Sequence, residues 1–228
     1  MRTWALPLLP ALAVAVAWPD TTSAQPKSGF KPLFNGKDLT GWKPYLRGTK
    51  ADPHPDPKNT WSVADGEIIC KGKPNGYIAT EKEHGNYVLR VKWRFPEGSK
   101  GGNSGVLLHV QKEDKVWPTS VEAQLASGRA GDFWLIMPPE VTLDVDKSRQ
   151  DPRQARHYFR DPKDTPVEKP IGEWNQYEIT CKGGDITVVV NGRKVNEGKN
   201  GNLKSGRIGL QSEGSEIHFK DIEIAPIR

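Results

Sequence analysis

The stretch Asn86–Phe95, reading NYVLRVKWRF, limits the fold more than any other part of the chain. Tyr87, Leu89, Val91, Trp93 and Phe95 fall on one face of an extended backbone, and Val88, Arg90, Lys92 and Arg94 fall on the other. Such strict alternation describes a strand with one face in a core and the other toward solvent or a shallow cleft. Shorter strand-like runs surround it. Trp61–Val63 and Glu67–Cys70 flank an Asp65-Gly66 turn, and Trp174–Lys182, Asp185–Asn191 and Lys194-Val195 are joined by Gly183-Gly184 and Asn191-Gly192. Tyr77–Thr80, Gly105–Gln111, Ser120–Leu125, Arg207–Gln211 and Glu216–Ile224 add further strands. No long stretch has helical period and no repeat is visible. Roughly ten or more short strands predict an all-β chain, folded as a two-sheet antiparallel sandwich.

The ends and the charge set further bounds. Met1-Arg2 precedes an apolar run, Ala5–Trp18, that is too short for a comfortable membrane span and is broken by Pro7 and Pro10. Small residues follow at Thr22-Ser23-Ala24, so residues 1–24 read as a secretory signal and the mature protein as periplasmic or secreted. A retained membrane anchor is the competing reading. The remaining length, roughly 200 residues, suits one β domain over 30–228. Within it, 140–170 is a charged loop insertion rich in Asp, Lys, Arg and Pro, of the kind that forms a lid or a mobile connection. The net charge of +5 is scattered, with Lys92 and Arg94 close in sequence to Glu81, Glu83 and Glu97. A nucleic-acid groove would concentrate its charge on one element, so that function is excluded. Cys70 and Cys181 each end a predicted strand. Outside the cytosol two such residues can pair, and the sequence leaves their pairing open. Without flanking His they do not form a zinc site.

Candidate chemistry concentrates in Gly101–Leu125, reading GGNSGVLLHVQKEDKVWPTSVEAQL. Two short strands joined by a polar loop would carry Glu122 and Gln124 outward. The Gly-Gly-Asn-Ser-Gly turn around Asn103 lets backbone approach whatever lies above. His109 stands between Leu108 and Val110, so its side chain is expected opposite theirs, on the Glu122 face. The plain alternative is a solvated sheet face with a surface His. Asp144-Val145-Asp146 with the distant His157 is a weak metal pattern, and solvation of a charged loop explains it better.

Several phrases occur in a specific order: FKPLFNGKDLTGW, WSVADGEI, NYVLRVKWRF, GGNSGVLLHV, WPTSVEAQL, AGDFW, GEWNQYEIT, VVVNGRKV and SGRIGLQSEGSEIHFKDIEI. Together, over Phe30–Ile227, they resemble the bacterial 3-keto-disaccharide hydrolase domain. The resemblance implies a jelly-roll sandwich similar to concanavalin-A-like lectins and glucanases, with ligand on a concave face. It also implies cleavage of glycosides already oxidised at C3, and a separate sugar 3-dehydrogenase that supplies them. Nothing in the chain is similar to a Gly-rich dinucleotide turn, so no nucleotide cofactor is expected. A divalent-metal requirement is left open.

A retaining glycosidase needs two carboxylates about 5 Å apart. Glucanases of this fold place them on one strand, but here Val121–Ala126 offers Glu122 followed by Gln124 and Ala126. That disfavours a conventional two-carboxylate hydrolysis on this strand. A 3-keto sugar needs something different, because the ketone acidifies the hydrogen at C2. One base can remove it, the enolate expels the C1 substituent, and water then adds across the double bond. Glu122 and His109 are the expected base and acid, in either order. Gln124, Asn103 or Arg94 would stabilise the enolate. Of the aromatic residues, Trp134 is the expected stacking partner for a sugar ring, and Arg153, Arg156 or His157 would reach the ligand from the charged connection. The alternatives are a non-catalytic carbohydrate-binding module and a conventional endoglucanase.

Overall fold

A computed structural model describes residues 29–112, 114–162 and 166–228. The signal read over residues 1–24 lies outside the described residues. Two antiparallel sheets pack face to face. The first runs β14 (Arg193–Gly198), β13 (Asp185–Val190), β12 (Asn175–Lys182), β6 (Tyr87–Arg94), β16 (Ile217–Pro226), β4 (Glu67–Cys70) and β3 (Trp61–Ala64), with β1 (Lys31–Pro32) also on β16. The second runs β10 (Gln150–Asp151), β11 (Gln154–Tyr158), β9 (Phe133–Ile136), β8 (Ser120–Gln124), β7 (Gly105–Val110), β15 (Arg207–Ser212), β5 (Gly76–Thr80) and β2 (Trp42–Leu46). Short 3-10 turns occur at Pro57–Asn59 and Lys147–Arg149. No helix among the described residues is long and apolar enough to cross a membrane.

The alternation in β6 does what its pattern requires. Tyr87, Leu89, Val91 and Trp93 are buried between the sheets, and the intervening residues are partly exposed. They meet Val121, Ala123 and Leu125 from the second sheet, together with Tyr177, Ile179 and Phe219 from the first. Burying a side chain of this size is worth roughly 1.5–3 kcal/mol, so the alternating residues set which way each strand faces. The hairpin turns follow their chemistry too. Asp65-Gly66 and Asn191-Gly192 both hold positive φ, at 51° and 76° and at 48° and 83°. That is the conformation a tight two-residue hairpin needs.

One feature departs from expectation, and the cysteine pairing that the sequence leaves open is settled. The charged 140–170 connection contains β10 and β11, which extend the second sheet through Tyr158 opposite Phe133 and His157 opposite Trp134. Its polar composition fits the rim of the sheet, where the two-residue β10 pairs on one side only and β11 buries only His157. The aromatic pair Phe133-Trp134 opens strand β9. Cys70 and Cys181 are free and buried. They sit on β4 and β12, with β16 and β6 between them, which is beyond the reach of a disulfide. Burial pushes their thiols up to about 11 and about 12.

Candidate active site

Because Val121, Ala123 and Leu125 fill the core, Glu122 and Gln124 project from the opposite, outer face of the second sheet. They line a cleft of about 230 Å³ with Asn103, Trp117, Trp134, Ile136, Arg156 and Glu213. Register explains the grouping. Glu122 pairs across to Trp134 on β9, and Gln124 pairs with Gly105 on β7. Glu213 arrives just beyond the end of β15, the other neighbour of β7.

Glu122 is 4% exposed, and its Oε1 has no hydrogen-bond partner within the protein. Its pKa is raised to about 8, by burial first and then by the charge of Glu213, with Arg156 opposing. Glu213 is raised to about 6, by burial first, with Arg156 again opposing. The cleft therefore holds two carboxyl groups of separated acidity. Near neutral pH Glu122 is mostly protonated and Glu213 mostly ionised. Such a separation is how one site obtains an acid and a base from like side chains.

The surrounding groups are anchored from behind. The Gln124 side-chain oxygen accepts from Leu125 N at 2.8 Å and Ala126 N at 3.0 Å. Its NH₂ is thus the group it can offer to the cleft. Asn103 Oδ1 and Trp134 Nε1 are buried without partners. The Arg156 guanidinium lies 5.0 Å from the Trp134 ring centre, and the opposite support is His157, stacked on Trp134 at 4.2 Å and 9°.

His157 is therefore a support for Trp134 and does not line the cleft. It is 1% exposed, with Nε2 2.8 Å from Asp132 Oδ2 and Nδ1 3.1 Å from Asp151 Oδ2. Both ring nitrogens are committed to carboxylates, which locks the ring plane that Trp134 rests on.

His109 is also displaced from its expected place. Arg207 pairs with Val110 and Gly209 with Leu107, so Leu108 and His109 together face the single residue Ile208. This bulge, with His109 at φ 55°, shifts the alternation by one. Val110 joins Leu107 on the outer face, while His109 turns inward onto Tyr87 at 5.7 Å. Its Nδ1 donates to Leu203 O at 2.9 Å, and burial lowers its pKa. Arg94 stands on the first sheet, paired across from His218 on β16. It donates to both Glu67 oxygens at 3.1–3.2 Å and covers Trp174. The cation of the cleft is Arg156.

Glu213 escaped the sequence reading because Glu213-Gly214 has the form of a turn. Only the order β8-β7-β15 brings it to Glu122, and that order is non-local. The metal pattern separates as well. Asp146 caps the 3-10 turn by accepting from Ser148 N, and Asp144 accepts from Asn200. Among the described residues no group of three or more His, Cys, Asp or Glu side chains is arranged to hold a metal ion.

A family model for 3-keto-alpha-glucoside-1,2-lyase-like domains matches residues 29–225. The chain belongs to this family. Two solved structures, both of candidate glycosyl hydrolases from Parabacteroides distasonis ATCC 8503, are similar to it. One is 26% identical with a TM-score of 0.61, covering 88% of this chain and 94% of that one. The other is 25% identical with a TM-score of 0.59, covering 87% and 99%. The carbohydrate-binding module CBM66 from Bacillus subtilis shares the fold at 12% identity and a TM-score of 0.58, covering 83% and 98%. The family member described here is thus an all-β jelly roll of the kind found in lectins, binding modules and glycosyl hydrolases. A search of curated proteins gives no match.

Proposed function

We infer that this protein is a carbohydrate-active enzyme that cleaves glycosides oxidised at C3 of the sugar. The observation that carries the reading is the pair Glu122 and Glu213 in one cleft, with pKa values of about 8 and about 6. A binding module needs aromatic and amide groups, but not two carboxyls held apart in acidity. Family membership and the likeness to candidate glycosyl hydrolases support the substrate class.

In this reading the ionised Glu213 removes the C2 proton, which the neighbouring ketone has acidified. Negative charge develops on the C3 oxygen, where the Arg156 guanidinium and the Gln124 amide stabilise it. The C1–O bond breaks, and protonated Glu122 supplies the proton to the leaving oxygen. The C1=C2 double bond conjugated to the ketone then takes up water. Glu122, now a carboxylate, accepts a proton from the water that attacks C1, and Glu213, whose captured proton has exchanged with the incoming solvent, delivers a solvent proton to C2. Both glutamates end as they began. Trp117 offers a ring face to the sugar, and Trp134, covered by Arg156 and His157, offers its unpartnered indole N–H. Export to the periplasm or beyond, and supply of substrate by a sugar 3-dehydrogenase, belong to the same proposal.

The two carboxyls are also the minimum set for a conventional glycosidase, so the substrate decides. Purified protein incubated with a 3-keto glucoside and with its unoxidised parent should release sugar from the first only. Equal cleavage of both would make it a conventional glycosidase, and binding without turnover of either would make it a module.

A further inference from the structure

The outer face of the second sheet does not end at the Glu122 cleft. It continues across β7, β15, β5 and β2 to a second hollow of about 330 Å³, whose lining includes Lys43, Tyr45, Tyr77, Glu83, Lys112 and Arg207. Tyr45 pairs with Tyr77, and Tyr77 with Gln211. The residue before Gln211, Leu210, pairs with Val106, which sets Gln211 beside Gly105 and so between the two hollows.

Along this path several buried polar atoms lack partners of hydrogen-bonding geometry. They are the Tyr77 hydroxyl, both side-chain polar atoms of Gln211 and Arg207 Nε. Tyr77 and Gln211 are each 1% exposed. Leaving such a group unpaired costs about 1–3 kcal/mol, and native structures leave few. Here they form a row on one sheet face, continuous with the orphaned Oε1 of Glu122. Burial pushes the Tyr77 phenol up to about 12 despite the nearby Arg207, so it stays a hydrogen-bond donor.

The floor beneath is apolar. Ala79, Leu107 and Val110 form a cluster with Tyr77 that is separate from the main core, with Tyr45 packed against it. The Tyr45 and Tyr77 rings stack at 5.7 Å and 27°. Gly209 keeps the floor low, since a Cβ there would meet Leu107 Cβ at 3.1 Å. The rim carries Lys43, Lys112 and Arg207 against Glu81, Glu83 and Asp114, a balanced charge that favours no ion. An aromatic and apolar floor, unpaired hydrogen-bonding groups and a neutral rim suit a neutral polyhydroxylated ring.

We propose that this second hollow is a remote sugar subsite on the leaving-group side of the Glu122 cleft, with Gln211 bridging the two and Tyr45 stacking on a sugar ring. Four strand spacings of about 4.8 Å separate the strands of Glu122 and Tyr45, roughly 19 Å in all. The subsite therefore reaches past the second ring of a glycan, and the substrate is an oligosaccharide longer than a disaccharide. This rests on the reading of the Glu122 cleft as the point of cleavage.

Binding and turnover test it separately. Unoxidised gluco-oligosaccharides of two, three and four rings, in the α-1,4 and β-1,4 series, would be titrated calorimetrically into the full protein. Affinity for one series should rise at least tenfold from two rings to four, and the rise should vanish in Tyr45→Ala and in Arg207→Gln. The two variants lie on different strands, and a melt of each checks that it is folded. In kinetics, kcat/KM for a 3-keto tetrasaccharide should fall about tenfold in both variants, with that for methyl 3-keto-glucoside unchanged. Affinity that is flat with length in both series, or variants that bind like wild type, would overturn the subsite. Length-dependent binding without turnover of any 3-keto substrate would uphold the subsite and overturn the proposed reaction.

Discussion

Gly105 lies beneath the carboxyl group of Glu122. A Cβ added at Gly105 would stand 2.2 Å from Glu122 Oε1, 2.7 Å from its Cγ and 2.8 Å from its Cδ. The whole Glu122 side chain would have to move, so hydrogen at this position is what allows the carboxyl to lie back against the sheet. Gly105 is not among the residues with positive φ, so alanine meets no backbone strain there. Gly105→Ala should still fold, give up about 1–3 kcal/mol of stability to the displaced side chain, and lose about 10- to 100-fold in kcat, the scale on which small misplacements of a catalytic group act. Comparing its melt with its turnover of a 3-keto glucoside checks both halves.

The two glutamates predict a bell-shaped pH profile. Activity needs Glu213 ionised and Glu122 protonated, so kcat/KM should rise through about 6 and fall through about 8. Because the carboxyls interact, both limbs belong to the pair. In Arg156→Gln both limbs should move to higher pH, since Arg156 lowers both pKa values. Limbs that stay in place would remove Arg156 from the cleft's electrostatics.

Stability should carry the same signature with a definite sign. Glu122 has an ordinary value of 4.5 and a folded value of about 8. Between those values the unfolded chain has released its proton while the folded protein keeps it. Glu122 thus contributes its full share below pH 4.5, and the share is lost as pH rises toward 8. The slope is at most about 1.4 kcal/mol per pH unit. Glu122→Gln removes it, so the variant should gain on wild type between pH 5 and pH 8. Thermal melts at the two values test this, and a constant offset would contradict the buried, protonated Glu122.

His109 and Arg94 give the opposite kind of prediction. His109→Asn keeps a residue that tolerates positive φ but loses the packing on Tyr87 and the bond to Leu203 O. It should cost about 1–3 kcal/mol of stability and leave kcat within a few-fold. Arg94→Gln, on the other sheet, should leave kcat and KM unchanged. A hundredfold loss of kcat in either folded variant would return that residue to the site.

These residues also show what the sequence could convey. Glu122 and Gln124 were legible because local alternation fixes the face of a strand, Asn103 because a Gly-rich turn brings backbone close and Trp134 by its aromatic ring, and all four line the cleft. His109 was misjudged because one extra residue opposite Ile208 reverses the alternation without any Gly or Pro to announce it. Arg94 was misplaced because alternation names two faces but not which sheet carries the ligand. Arg156, on β11, was one of three candidates in the charged connection, and Glu213 follows β15, far from Glu122 in sequence. Their arrival depends on strand order, which no local pattern encodes. The charged connection hid β10 and β11 because β10 is a two-residue edge and β11 buries only His157, so neither needs an apolar run.

The central claim is that Glu213 removes the C2 proton of a 3-keto sugar while Glu122 protonates the leaving oxygen. Turnover of a 3-keto glucoside in D₂O, read by NMR at short times, tests it most directly. The account predicts one deuteron at C2 of the released sugar, and a rate at least about 100-fold lower in Glu213→Gln, the scale of general-base catalysis. Released sugar that keeps its original hydrogen at C2, or a folded Glu213→Gln that turns over like wild type, would contradict it.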